Sequence, residues 1–385
     1  MDGHESFIHF ALPDVGAEEI AAVSEAIASG WLSSGPKVRE FEAAFAARFD
    51  PPVEAVAVSS ATAGLHLALE ACRIGPGDEV LVPTWTFTAT AEVVRYLGAT
   101  PVLVDVDPET LNMDLEAASR LVTPRTRAVM PVHFAGRPVA ARTLRQFAEA
   151  HGIDVVEDAA HAFPASSDGE LVGAGASRAT VFSFYATKTL TTGEGGMVVT
   201  RDADLARRIR TMRLHGIDRD AFNRYRSEIP AWRYDVVGAG YKYNLTDPAA
   251  AMGLVQLARV DAMRSRREQL AEHYRASFAG TSLELPAAVP MDMLHAWHLF
   301  VVRLPGEDDR DGFIEAMSRA GVGTSVHFIP LHLHPYWRDS LAVQPGKLPV
   351  ATREFQRVVS LPLFSRLSDD QAERIVDAVR DNAPR

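Results

Sequence analysis

The stretch FSFYATKTLTTGEGG, residues 182–196, decides how the rest of the chain is read. Val181, Phe182, Phe184 and Tyr185 read as the end of a buried strand. Behind them Lys188 enters a run of small hydroxyl residues that closes on Gly193, Gly195 and Gly196. Lysine is ordinarily a solvated surface residue. At a buried strand end, with glycines that let a backbone or ligand come close, it is different. Desolvation there lowers the amine pKa and makes it a nucleophile able to form a Schiff base.

Working outward, the chain from Ala55 to about Thr200 alternates Val/Ile-rich runs with Ala/Glu/Arg-rich helical ones. The runs are AVAVS, then a helix over 62–73; EVLVP, then 88–97; PVLVDV, then 114–121; AVMPVHF, then 139–150; and IDVVED. This pattern predicts an α/β fold with a mostly parallel sheet buried on both faces, with ligands at the strand ends. A nicotinamide-binding reading needs a glycine fingerprint after the first strand, and GAGASRA (173–179) is a weak match outside that context.

The aldehyde that suits Lys188 is pyridoxal phosphate, which also needs an acid for its ring nitrogen, a flat group against its ring and donors for its phosphate. Asp158, at the end of GIDVVEDAAHA (152–162), supplies the acid, although it also fits a helix cap before Ala159 and Ala160. SSATAGLH (59–66) follows a strand and opens a helix, where N–H groups and the helix dipole favour an anion; an ordinary capped helix looks the same. Ser183 could add a hydroxyl. In VPTWTFTATAEVV either Trp85 or Phe87 could cover the ring, against the commoner role of aromatic residues in a core.

These segments, with SGWLSSGPKVREFE (29–42), GYKYNLTDPAAAMGLVQL, HAWHLFVVRL, GVGTSVHF and SLPLFSRLSDDQAERI, resemble in order and spacing the DegT/DnrJ/StrS family of pyridoxal-phosphate sugar aminotransferases. Within it, the resemblance is to members that aminate the 4-keto form of UDP-L-arabinose. It implies a fold-type I, aspartate-aminotransferase-like transferase and a homodimer with shared active sites. The implied reaction moves an amino group from L-glutamate to a 4-keto nucleotide-sugar. It also implies Lys188 as the catalytic attachment point and Thr62, Ala63, Phe87, Asp158, His161, Ser183 and Asn244 as cofactor contacts. Asn244 would serve the phosphate of the neighbouring subunit, although on its own it reads as a turn or cap before Asp247-Pro248. His327 and His332 are implied near the substrate. An aminocyclitol aminotransferase is the alternative. A dehydratase of this fold would replace the lysine with histidine, and a non-catalytic regulator would call for a DNA-binding segment that is not visible.

The length of 385 residues predicts two domains, a large cofactor domain over 1–250 and a smaller α+β domain over 251–385 with substrate between them. The apolar fraction of 47% suffices for large cores, and no apolar run of about 18 residues suggests a membrane span. MDGHESFIHF does not read as a secretory leader, so a cytoplasmic chain is expected. Cys72, the single cysteine, reads as a packing residue. A formal net charge of −11 argues against non-specific nucleic-acid binding, and Arg259, Arg264, Arg266 and Arg267 read as a solvated helix face. His327, His332 and His334 match no strong zinc spacing, so no metal is expected. The segment 216–241 reads as a long irregular loop of functional or interface type.

Overall fold

The computed structural model describes residues 7–175, 177–218, 234–306, 310–343 and 345–384. The first six residues, part of the segment read for a leader, and 219–233, the middle of the predicted long loop, lie outside the described residues.

The strands in chain order are β1 (Glu54–Val58), β2 (Glu79–Pro83), β3 (Thr100–Val104), β4 (Thr126–Val129), β5 (Asp154–Asp158), the short hairpin β6 (Ser166–Ser167) and β7 (Glu170–Leu171), then β8 (Ala179–Ser183) and β9 (Gly196–Thr200). Seven of them form one sheet in the order β1-β9-β8-β5-β4-β2-β3. The pairings from β8 across to β3 are parallel. β9 runs antiparallel to both neighbours, β1 and β8. The sequence pattern thus gave the parallel part, whereas the reversed β9 follows from the lysine segment folding back as a long hairpin. Helices Ala61–Ala71, Ala89–Tyr96, Leu115–Ser119 and Ala141–His151 connect the strands as expected. GAGASRA, of which residue 176 is not described, runs into β8 and opens no helix, so it forms no nucleotide fingerprint.

One glycine fixes the geometry of the site. A Cβ on Gly196, at the start of β9, would lie 2.8 Å from the Ala61 nitrogen and 2.9 Å from the Phe182 carbonyl oxygen. Only glycine lets the start of helix Ala61–Ala71 sit against the end of β8.

The smaller domain pairs β10 (Phe300–Arg303) with β11 (Val358–Leu361) antiparallel, covered by helices Arg310–Arg319 and Asp369–Asn382. The expected boundary at 250/251 falls inside a helix. Helix Asp247–Ser277 is continuous through it, and its early residues Ala250, Leu257, Val260 and Met263 belong to a core of the large domain. Leu270, Ala271 and Tyr274 belong to a second core, so the helix passes from one core to the other between Met263 and Leu270. The small domain also takes the chain start. Ile8 bridges to Val322 and is buried in that core, a contribution of about 2 kcal/mol.

The basic face of this helix is also not what the sequence suggests. Arg267 is buried, with Nη1 donating to the carbonyls of Leu363 at 2.6 Å, Trp297 at 3.3 Å and His298 at 3.4 Å. Arg259 pairs with Asp14 and Glu19, and Arg266 with Asp369. The helix crosses between domains, so the face opposite one core is covered by the other. Among the described residues no helix is long and apolar enough to cross a membrane.

Candidate active site

The end of β5 carries Glu157 and Asp158 on opposite faces of the sheet, both buried. Asp158 accepts from the Thr90 hydroxyl at 2.8 Å and from the Ala160 N–H at 3.1 Å. Burial raises its pKa, with Thr90, Ala160 and nearby Lys188 opposing. Lys188 is half-buried after β8, on a turn closed by its own N–H to the Tyr185 carbonyl at 2.9 Å. Its amine is pushed down to about 8, first by burial, with Asp158 opposing and Arg267 adding to the effect.

Two histidines complete the wall. The Lys188 amine is 3.4 Å from Nε2 of His298, whose ring lies 4.3 Å from that of His161. Both histidines are buried, and each has an Nδ1 atom without a hydrogen-bond partner. Burial comes first among the causes that hold both well below the usual histidine range, and Lys188 adds to it. Gly136 brings them together. It has φ +93°, and a Cβ there would meet the His161 carbonyl and the Trp297 nitrogen, each at 3.0 Å. Ala135 and Gly136 then accept the N–H groups of His298 and Ala296.

Ser183 faces Gly196, Gly196 faces Val58, and Val58 faces Asn244 in one row across the sheet. Ser183 therefore lies two strand spacings, roughly 10 Å, from the turn at Ser59. Thr62 and Ala63 occupy the first turn of helix Ala61–Ala71. The Ser60 hydroxyl already accepts the Ala63 N–H at 3.1 Å, so a phosphate there would share that donor. Asn244 is three spacings, roughly 14 Å, from Ser183. Its side chain donates to the Ser34 hydroxyl at 2.8 Å and accepts from Lys242.

The remaining expectations divide. Trp85 is fully buried and its Nε1 donates to the His327 carbonyl at 3.0 Å, so it is a core residue; Phe87 is 60% exposed and keeps an open face. His327 bonds Ser360 through Nδ1 at 3.0 Å and stacks on Phe10, and burial together with Lys188 pushes it down to about 4. His332 is misread by the sequence. It is fully buried, with Nδ1 2.7 Å from the Thr84 hydroxyl and Nε2 2.9 Å from that of Thr352, so it braces the end of β2 against helix Pro349–Phe355 and leaves no nitrogen for a substrate. Neither the role of His298 nor the burial of Arg267 is legible in the local sequence. The one available signal was HAWHLF just before β10.

These residues fit pyridoxal phosphate. A buried carboxylate beside a lysine with a lowered pKa, and the unpartnered Nδ1 of His161, are groups that a polar aromatic aldehyde would satisfy. Such a site over this sheet defines a fold-type I pyridoxal-phosphate enzyme. The profile of the DegT/DnrJ/EryC1/StrS aminotransferase family matches residues 13–380. The spore coat polysaccharide biosynthesis protein SpsC of Bacillus subtilis is 45% identical over 379 residues, covering 97% of each chain. Spr1654 from Streptococcus pneumoniae, solved in a PLP form, superposes with TM-score 0.89 at 31% identity over 97% of this chain and 98% of that one. The sugar aminotransferase CalS13 from Micromonospora echinospora gives TM-score 0.87 at 34% identity over 97% and 99%. The chain belongs to the DegT/DnrJ/EryC1/StrS aminotransferase family and is a pyridoxal-phosphate-dependent sugar aminotransferase.

Proposed function

We propose that the enzyme moves an amino group from L-glutamate to a 4-keto sugar carried on a nucleotide, and that Lys188 is its attachment lysine. One observation carries the acceptor part. A groove of about 660 Å³ is lined by Phe87, Phe328, Tyr336 and Trp337, with Glu92 and His334 among its polar residues. It meets the lysine site through Phe328, which stacks on His161 at 5.8 Å. A free keto acid would leave most of a groove of that size unfilled. A nucleotide offers a base to stack and a handle remote from the ketone, and binding there orients a poorly reactive carbonyl. That SpsC is a spore coat polysaccharide biosynthesis protein agrees with a sugar acceptor.

In this reading Asp158 pairs with the ring nitrogen of the cofactor, Ser183 and the first turn at Thr62 and Ala63 hold its phosphate, and Phe87 and His161 flank its ring. When bound, the cofactor supplies an aldehyde that takes the amino group and a protonated ring that accepts an electron pair. Lys188, once displaced by the donor, takes the proton from the donor carbon as a neutral amine and returns it one position away.

To test the acceptor, enzyme loaded with amino group from glutamate is discharged with UDP-linked 4-keto sugars, the corresponding free sugars, a keto-cyclitol and simple keto acids. Discharge by the nucleotide-linked sugars should be fastest by at least about 100-fold. Faster discharge by the keto-cyclitol would move the function to aminocyclitol synthesis, and equal rates would remove the nucleotide.

We also propose a homodimer in which Asn244 reaches the cofactor phosphate of the partner subunit. Its distance along the sheet row from Ser183 and its place on an exposed edge beside Ser33, Ser34 and Lys242 support this. Mixing Lys188→Ala protomers with Asn244→Asp protomers should restore activity, since one site per mixed dimer is then intact. Proven subunit exchange with no recovery would place each site within one chain.

A further inference from the structure

We propose that His298 is the positioning residue for Lys188: its Nε2 receives the lysine amine whenever the amine is not bonded to the cofactor, and so keeps it in place to carry the proton. The inference rests on Lys188 being the attachment lysine.

The geometry has three parts. Among the described residues, His298 at 3.4 Å is the only side chain within hydrogen-bond range of the Lys188 amine. The His298 backbone is pinned on both sides, its N–H by the Ala135 carbonyl at 3.0 Å and its carbonyl by the buried Arg267. Its ring is confined against that of His161. The imidazole therefore presents Nε2 at one fixed place. For Nε2 to accept from the amine, Nδ1 must carry the ring proton, and Nδ1 is buried without a partner.

The chemistry explains why a histidine suits this place. A lysine that must act as a base has to be held without being locked as an ammonium ion. A carboxylate at 3.4 Å would hold it by charge and raise its pKa. A neutral imidazole offers one acceptor and no charge. The charged and titratable groups around the amine fit that division. Asp158 from β5 is near enough to raise the amine pKa but makes no hydrogen bond to the amine among the described residues, Arg267 from the long helix adds positive potential from behind, and His161 and His327 are both held on the neutral side by burial. The side chain that touches the amine is thus the one that cannot trap it.

The two ring nitrogens can be separated by substitution. In His298→Gln the side-chain amide reaches about as far as Nε2, whereas in His298→Asn it reaches only to Nδ1. Cofactor-free full-length protein is mixed with pyridoxal phosphate at pH 7.5, quenched with borohydride at intervals and digested, and the label on Lys188 is followed by mass spectrometry. Thermal unfolding is recorded in parallel. We expect His298→Asn to slow labelling of Lys188 by about tenfold with an unchanged unfolding midpoint, and His298→Gln to stay within about threefold of the unmodified protein. Labelling of the Asn variant at the normal rate overturns the inference. So does equal slowing in both variants, whether the midpoint falls, which marks a packing role, or holds. A label on a different lysine overturns the attachment reading and this inference with it, and the mapped peptide distinguishes that failure from the others.

Discussion

At the end of β5 two consecutive carboxylates leave the strand on opposite faces of the sheet, and their surroundings differ more than their positions. Glu157 receives the Nε2 proton of His133 at 2.9 Å and the Thr180 hydroxyl at 2.8 Å. The Val139 N–H donates to Nδ1 of the same His133, which fixes the tautomer, since a backbone N–H can only donate. Burial pushes the Glu157 pKa up, but these bonds outweigh it and hold the carboxylate below its usual range. Asp158 has two uncharged donors, and burial wins, so its pKa is raised. One carboxylate is completed by the frame. Its neighbour is left to meet a cation, and it faces Lys188.

The comparison gives opposite stability signs with pH. For Glu157, with a lowered folded pKa, the contribution is full above the unfolded carboxylate pKa and is lost as pH falls through the folded value. For Asp158, with a raised folded pKa, ionisation opposes folding at neutral pH, and acidification through the folded value relieves it. Substitutions should separate the two residues in order of effect on rate. Asp158→Asn should lower amino transfer on the order of 100-fold or more in a folded enzyme, because an amide cannot stabilise a protonated ring. Thr90→Val, which removes one hydroxyl from Asp158, should lower it by about fivefold. Glu157→Gln should hardly change the rate of the folded fraction but should lower stability by about 2 kcal/mol in urea unfolding, and should flatten the acid limb of stability against pH. A Glu157→Gln enzyme that is stable but inactive would mean the two roles have been exchanged.

The same distinction separates what the sequence could show from what it could not. Lys188 and Asp158 were legible because strand-end position is a local property, carried by FSFY and IDVVED. The parallel strands and their helices were legible for the same reason. His332 and His298 both read as histidines in apolar surroundings. Their difference lies in partners far along the chain: Thr84, 248 positions away, and Thr352 take both nitrogens of His332, while Lys188, 110 positions from His298, meets only one of its two. Arg267 is buried because its helix continues beyond the first core into a second, and the local pattern of charges holds no trace of that. The reversed strand β9 pairs back on β8 across the lysine segment, a direction the alternating pattern does not encode, and the start of the chain joins the β10–β11 region through a bridge over more than 300 residues.

The central claim is that the amine held beside His298 and opposite Asp158 is the one that carries the cofactor. The direct test is borohydride reduction of the enzyme with its cofactor in place, followed by peptide mapping, together with the pH dependence of labelling in the cofactor-free protein. The amine is reactive only when neutral, so labelling should rise with pH through a midpoint of about 8, the value to which burial lowers Lys188. The cofactor should be fixed on the peptide that contains Lys188. Fixation on any other lysine, or a midpoint near the ordinary lysine value of about 10.4, would contradict the account.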